Sequence, residues 1–159
     1  MNGVVAIADA SPHIAFASIG QLDLFGQLFE EVVIPQVVLE EITPSIPALP
    51  TWITVDPRLL AHRERELDGS LDAGERAAIA LAPEGPIKRL VIDDLNGRKI
   101  AQRNGIEIVG SFGLVVLARQ LNLIPFAQPL LIDLVRAGLF VSRDLYEHTL
   151  SLVDEAIPD

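Results

Sequence analysis

Residues 90–109 read LVIDDLNGRKIAQRNGIEIV, and this stretch decides the fold. Leu90-Val91-Ile92 is a short, wholly apolar run, the pattern of a strand covered on both faces. Asp93-Asp94 closes it, Asn96 to Asn104 follows as a helix, and Gly105 supplies the stop. Ile106 to Val109 is the next strand. Strand, helix and strand in that order predict a parallel sheet with helices on both faces.

Working outward, Val4 to Ala8 is another continuous apolar strand. Asp9-Ala10-Ser11-Pro12 starts a helix: Asp or Ser can cap the free amides, and Pro12 suits the first turn. That helix runs to about Ile19 and stops at Gly20, and a shorter one covers Leu22 to Leu28. Val32-Val33-Ile34 is a strand, and Pro35 opens a helix through Ile42. Thr43-Pro44-Ser45-Ile46-Pro47 and Pro50 make a connector to a short strand, Trp52 to Val55. Arg58 to Gly69 is polar and fits helix or loop. Leu71 to Ala82 is a helix ended by Pro83 with Gly85-Pro86. After Gly110 the pattern is helical only: about Phe112 to Leu121, Pro129 to Ala137, and Ser142 to Val153, with Ser142 as cap. The expectation is a single α/β domain over residues 1–159, of which 120–159 form a helical C-terminal extension.

Four acidic stations punctuate this pattern. Asp9 ends the first strand and Asp93-Asp94 ends the fourth. Glu40 and Glu41 follow the second strand, and Glu75 opens the alanine-rich helix; both are expected in first helical turns. Ligands of open parallel sheets bind beyond the carboxyl ends of the strands, so these carboxylates can share one cleft. Carboxylates so placed repel one another unless a cation sits between them, and Mg²⁺ or Mn²⁺ suits oxygen ligands.

Each station also has a plainer reading. Asp9 can be a helix cap, Glu75 can answer the helix dipole, and Asp93-Asp94 can start a turn before Asn96-Gly97. Asp72 is the better cap of its helix, which leaves Glu75 wanting another reason. Glu40 and Glu41 point roughly 100° apart on a helix, so at most one faces a shared site. Glu41, beside Ile42, is the better choice, without excluding Glu40.

Composition narrows the rest. Formal net charge is −10, from 22 acidic against 12 basic residues, which argues against general attraction to phosphate. Lys88, Arg89, Arg98, Lys99 and Arg103 nevertheless cluster around Asp93-Asp94. There are no cysteines, which removes disulfides, thiolate metal sites and a cysteine nucleophile. No apolar stretch approaches the roughly 20 residues that span a bilayer, and no signal-peptide pattern opens the chain, so a cytoplasmic location is expected. His13, His62 and His148 show no zinc spacing. Ser11 and Ser111 lie in no nucleophile elbow, and neither the P-loop nor the dinucleotide glycine pattern occurs.

The segments VVAIADASPHIAFASIGQLDLF, VVIPQVVLEEI, LDAGERAAIALA and LVIDDLNGRKIAQRNGIEIVGSFGLVV, in this order, resemble the PIN-domain family of metal-dependent ribonucleases. They are similar in particular to a prokaryotic subfamily related to VapC-like toxins. The resemblance implies a parallel sheet of about four or five strands sandwiched by helices, and hydrolysis of RNA phosphodiesters with Mg²⁺ or Mn²⁺. It further implies the toxin role of a toxin–antitoxin pair, with a small antitoxin protein as partner. By motif, Asp9, Glu41, Glu75 and Asp93 or Asp94 match the family's catalytic acidic positions, with Asp9, Glu75, Asp93 and Asp94 as metal ligands. Ser11 matches a small hydroxyl residue near the first aspartate. The Asp-Asp pair and the acidic net charge depart from the family pattern.

Two other classes compete: a catalytically silent PIN-like module, and a phosphotransfer receiver, which Lys88 serves badly from the wrong side of its strand. Apolar residues at Leu130, Leu131, Leu134, Val135, Leu139 and Phe140, or the stripe Leu22-Phe25-Leu28-Phe29, suggest a homodimer or a surface covered by an antitoxin-like partner, with burial in the chain's own core as the competing reading.

Overall fold

Val5–Ala8 forms β1, the middle strand of a five-stranded, all-parallel sheet in the order β3-β2-β1-β4-β5. The computed structural model describes residues 4–58, 60–67, 69–82 and 89–155. Lys88 and the helix stop expected at Pro83, Gly85 and Pro86 lie outside them. Around β1 the chain runs through α1 (Ala10–Ser18), α2 (Asp23–Leu28), β2 (Glu31–Pro35), α3 (Gln36–Ile42) and β3 (Ile53–Asp56). It continues through α4 (Ala61–Glu66), α5 (Ala73–Leu81), β4 (Arg89–Val91), α6 (Leu95–Arg103) and β5 (Glu107–Val109). Helices α7 (Ser111–Gln120), α8 (Gln128–Arg136) and α9 (Arg143–Leu152) complete it. The polar stretch 58–69 thus contains a short helix.

Alternation along the strands sorts side chains into two layers. Ala6, Ala8, Val32 and Ile34 join a core with Phe16 of α1, Phe25 of α2, Leu114 of α7 and Leu131 and Leu134 of α8. Ile7, Val33 and Leu90 face the other way, with Ile79 of α5 and Ile100 of α6. Register is set by Ile7, which pairs with Val33 on one side and Leu90 on the other. A slip of one residue would exchange the two layers.

Local sequence explains the helix ends. Gly20 (φ 72°) and Gly105 (φ 73°) adopt the left-handed conformation that closes a helix at no Cβ cost. Ser142 accepts the Leu145 amide at 3.1 Å and caps α9. At the other end of the tail, the Glu155 carboxylate accepts the amides of Ala127 and Gln128 (2.8 Å for the latter) at the start of α8. Residues beyond α9 therefore fasten a helix that begins some way earlier in the chain.

The two apolar sets resolve differently between a partner surface and the core. In the stripe Leu22-Phe25-Leu28-Phe29, Phe25, Leu28 and Phe29 are buried in the chain's own core, the competing reading for that stripe. Phe25 lies between the His13 ring (4.9 Å) and the Trp52 indole (6.2 Å), with Phe16 edge-on at 5.1 Å. The C-terminal apolar set divides, with Leu131 and Leu134 buried and Val135 and Phe140 exposed. Among the described residues no helix is long and apolar enough to cross a membrane.

Candidate active site

The chain leaves β1 toward β2 on one side and reaches β4 on the other, so the β1–β4 boundary is where the winding reverses. Such a boundary opens a crevice at the carboxyl ends of the two strands. Asp9 directly follows β1, and its amide donates to the Val91 carbonyl at 3.0 Å, which ties the two strand ends together. Asp93 and Asp94 follow β4 on the same edge.

Asp9 sits at the N-cap of α1 with extended backbone, yet its carboxylate makes no capping bond into the first turn. It is only 3 % exposed. Burial pushes the carboxyl up to about 7, the Ala10 amide pulls it back in part, and Asp72, Glu41 and Asp93 add to the rise. A buried carboxylate that forgoes its cap and faces other carboxylates is poorly explained by local helix chemistry.

Asp72, by contrast, is a true cap: Oδ1 accepts the Glu75 amide at 2.8 Å. A cap of this kind is worth about 1 kcal/mol. It turns Glu75 inward on the first turn of α5, where it is 8 % exposed. Burial, a carboxyl–carboxyl hydrogen bond with Asp72, and the charges of Asp72, Asp94 and Asp9 raise Glu75 to about 8.

The adjacent aspartates have different jobs. Asp94 caps α6, Oδ2 accepting the Gly97 amide at 2.8 Å. Asp93 is held by Ser111 at the start of α7, whose amide donates to Oδ1 (2.7 Å) and whose hydroxyl donates to Oδ2. Both remain candidates, since Asp93 adds to the rise at Asp9 and Asp94 to the rise at Glu75.

Glu41 reaches the cluster from α3, and its pKa is raised by partial burial and by Asp72. Its place differs from the one expected: Glu40 and Glu41 lie in the last turn of α3, because the helix begins as soon as β2 ends and is only two turns long. The Glu41 carboxylate lies over Gly74 of α5, where a Cβ would sit 2.6 Å from Oε1. Glycine inside a helix costs up to about 1 kcal/mol against alanine, and less in a first turn; here it makes room for a carboxylate. Glu40 and Glu41 are both exposed by surface area; what separates them is that the Glu41 carboxylate, and not that of Glu40, closes over Gly74.

Two further glycines serve the same crevice. A Cβ on Gly97 would meet Ile92 Cδ1 at 2.7 Å, so this glycine makes room for core packing, while Asp94 Oδ2 at 3.5 Å and Glu75 Oε2 at 3.6 Å lie at ordinary contact over the same backbone. A Cβ on Gly110 would meet the Arg98 guanidinium at 2.8 Å and Asp93 Oδ1 at 3.1 Å. Arg98 thus comes alongside Asp93 over a residue with no side chain. Among the described residues, no three His, Asp or Glu side chains stand in a ready-made metal-ligand group. The fold brings the carboxylates near enough to raise one another's pKa without closing them into a ligand cage.

From Glu75, Asp93, Asp94 and Arg98 a groove of about 970 Å³ runs outward. One wall is α1, with Ser11, Ile14 and Ser18. The floor is Val109 and the start of α7, and the far wall is the α8–α9 connection and α9. His13, by contrast, points into the core: Nδ1 meets the Asp9 carbonyl at 2.9 Å, Nε2 has no partner, and burial lowers its pKa to about 4.

Sequence reasoning missed Asp72 as a member of the cluster and Ser111 as the holder of Asp93. Asp72 was hidden by its legitimate capping role. Gly74, a helical glycine just after that cap, was a local mark of a close approach.

A family model, DUF3368, described as a PIN domain, matches residues 5–155. No curated protein and no solved structure gives a match.

Proposed function

The chain belongs to the PIN-domain family, whose members are generally nucleases, and on that premise we propose that it is an endoribonuclease dependent on Mg²⁺ or Mn²⁺. The observation that carries the reading is Asp9: a buried carboxylate without a capping bond, raised to about 7 and facing Glu41, Asp72 and Asp93. Such a group is costly unless a cation offsets it. The donors available are all hard carboxylate oxygens, which fit Mg²⁺ or Mn²⁺ and not a soft metal.

Asp9, Glu75, Asp93 and Asp94 would hold the metal, and Glu41 would add charge from the α3 side. A bound divalent ion would lower the pKa of a water and offset charge on the phosphoryl group. The protein's own contributions follow from its contacts. Ser111 fixes Asp93 through two hydrogen bonds, so that carboxylate needs no reorganisation to bind. Asp72 orients Glu75 by holding its amide. Arg98, beside Asp93, is placed to meet a phosphate oxygen, which gives position and not sequence. With both Asp9 and Glu75 raised, the metal-free site retains protons near neutrality, and metal binding must release them.

The finer reading is the toxin half of a toxin–antitoxin pair, acting in the cytoplasm with a small antitoxin protein, and associating as a homodimer. Its support is the sequence resemblance to VapC-like chains. One specific observation favours a second reading, a silent PIN-like module: no three carboxylates form a closed ligand group among the described residues. Purified protein incubated with RNA and Mn²⁺, beside Asp9→Asn and an EDTA control, separates the two. Cleavage that requires both Asp9 and metal supports the nuclease; calorimetry without Mn²⁺ binding at millimolar concentration, together with intact RNA, assigns the silent module. Growth arrest on expression of the wild type but not Asp9→Asn tests the toxin role.

A further inference from the structure

Arg76 follows Glu75 directly on α5, where a cation could answer the acidic cleft. Its half-buried guanidinium turns instead to backbone carbonyls: Nη1 donates to Glu64 (3.2 Å) and Leu67 (3.5 Å), and Nη2 to Leu71 (3.0 Å). The first two lie at the C-terminal end of α4, where carbonyls lack helical partners and favour a cation. The third bears on the site. Leu71 immediately precedes Asp72, and the Arg76 amide donates to the Asp72 carbonyl at 3.0 Å. Both peptide groups that flank Asp72 therefore accept from one residue. Together they fix the extended backbone (φ −74°, ψ 173°) from which the Asp72 carboxylate reaches Glu75. A second tie comes from the opposite side, where Asn96 in the first turn of α6 donates to the Ser70 hydroxyl. The α4–α5 connection is thus fastened to α5 by Arg76 and to α6, the helix that Asp94 caps, by Asn96.

We propose that Arg76 is a positioning residue for the carboxylate cluster: by holding the Leu71 carbonyl it sets Asp72, and through Asp72 it aims Glu75 at the shared metal site. The inference rests on the metal-dependent reading above and adds what holds the α5 carboxylate in place. Two plainer roles compete. A simple cap of α4 would add stability and nothing else. A through-space counter-charge would repel a divalent cation, so its removal would tighten Mn²⁺ binding. Positioning predicts the opposite sign, because a carboxylate released from its holder must be ordered again when the metal binds. The contacts favour positioning: a planar fork of donors spans acceptors from α4 and from the residue before Asp72, which a single ammonium cannot do.

The test uses Arg76→Met, which keeps the apolar stem and removes the donors, and Arg76→Lys, which keeps the charge without the fork. By calorimetry Arg76→Met should weaken Mn²⁺ binding about tenfold, as loss of a group that orients a metal ligand does, with Arg76→Lys between it and the wild type. In a Glu75→Gln background Arg76→Met should add nothing, because it acts through Glu75. Glu155→Ala, which loosens a remote helix start, is the control for lost stability and should leave Mn²⁺ affinity unchanged. A metal-free readout stands beside these. Amide exchange at Glu75, followed by NMR in EDTA, should become roughly fivefold faster in Arg76→Met, the order of one weakened cap. Exchange at Leu145, capped by Ser142, should not move. Mn²⁺ binding that is unchanged or tighter in Arg76→Met overturns the proposal, as does an equal loss in the Glu75→Gln background. Failure of the metal reading looks different: the wild type then binds no Mn²⁺, and Glu75 exchange alone decides, faster exchange upholding the role of Arg76 and unaltered exchange overturning it.

Discussion

Replacing Asp9 by asparagine should make the metal-free protein more stable at pH 8 and no more stable at pH 4. The folded-state pKa of Asp9 is raised from 3.8 to about 7. Between those values the folded chain holds a proton that the unfolded chain has released, so metal-free stability falls as pH rises through this window. A shift of this size corresponds to an upper limit of roughly 4 kcal/mol at 1.36 kcal/mol per pKa unit. Asparagine avoids the charge but leaves a buried amide imperfectly bonded, at a cost of about 1–3 kcal/mol. The net gain at pH 8 is therefore about 1–3 kcal/mol, or roughly 2–4 °C in Tm for each kcal/mol in a chain of this size. At pH 4 only the amide's cost remains, and the variant should be equal or weaker. Urea titrations in EDTA at pH 4, 6 and 8 read the difference directly; the His13 contribution is common to both proteins and cancels. Added Mn²⁺ at a hundred times its Kd should stabilise the wild type by about 2.7 kcal/mol and the variant by little. If Asp9→Asn instead destabilises by the same amount at every pH, Asp9 is a structural residue and the electrostatic argument is wrong.

Further predictions follow from neighbouring contacts. His13, buried and neutral with a pKa of about 4 against 6.5 when free, contributes stability above pH 6.5 that is lost as pH falls toward 4; His13→Phe should flatten that acid limb in pH-dependent melts, and an unchanged limb would refute the assignment. Ser111→Ala removes one of two bonds to Asp93 and should weaken Mn²⁺ binding about tenfold or more by calorimetry, with circular dichroism unchanged. Gly74→Ala gains up to about 1 kcal/mol of helix propensity while its Cβ displaces the Glu41 carboxylate; RNA cleavage should fall as Tm holds or rises, and loss of both together would mean a packing defect. Glu155→Ala strips two amides at the start of α8 of their acceptor and should cost about 1–2 kcal/mol in urea.

The sheet was legible because its evidence is local: Val4 to Ala8 and Leu90 to Ile92 are wholly apolar, and each ends in aspartate and a helix start. The same logic pointed to Asp9, at a strand end, and to Glu75, which leaves the capping of its helix to Asp72. Ser111 and the groove were not legible. Ser111 acts on Asp93 across 18 positions, a pairing that exists only once β4 and β5 lie side by side. The groove joins α1 to the α8–α9 connection, segments whose sequences carry no mark of each other. Phe25 misled for the related reason that an amphipathic stripe reads alike whether it meets a partner or the chain's own Trp52 and His13.

The order β3-β2-β1-β4-β5 has a consequence for synthesis. β1 is made before either of its neighbours, with Asp9 at its end, and β2 can pair with it soon after. The partner on its other flank, β4, appears more than 80 residues later, and the wall carrying Phe140 later still. No N-terminal fragment that stops before residue 93 can set Asp9 against Asp93. A chain that has not yet reached Asp93 therefore lacks the assembled carboxylate set, whatever chemistry that set performs.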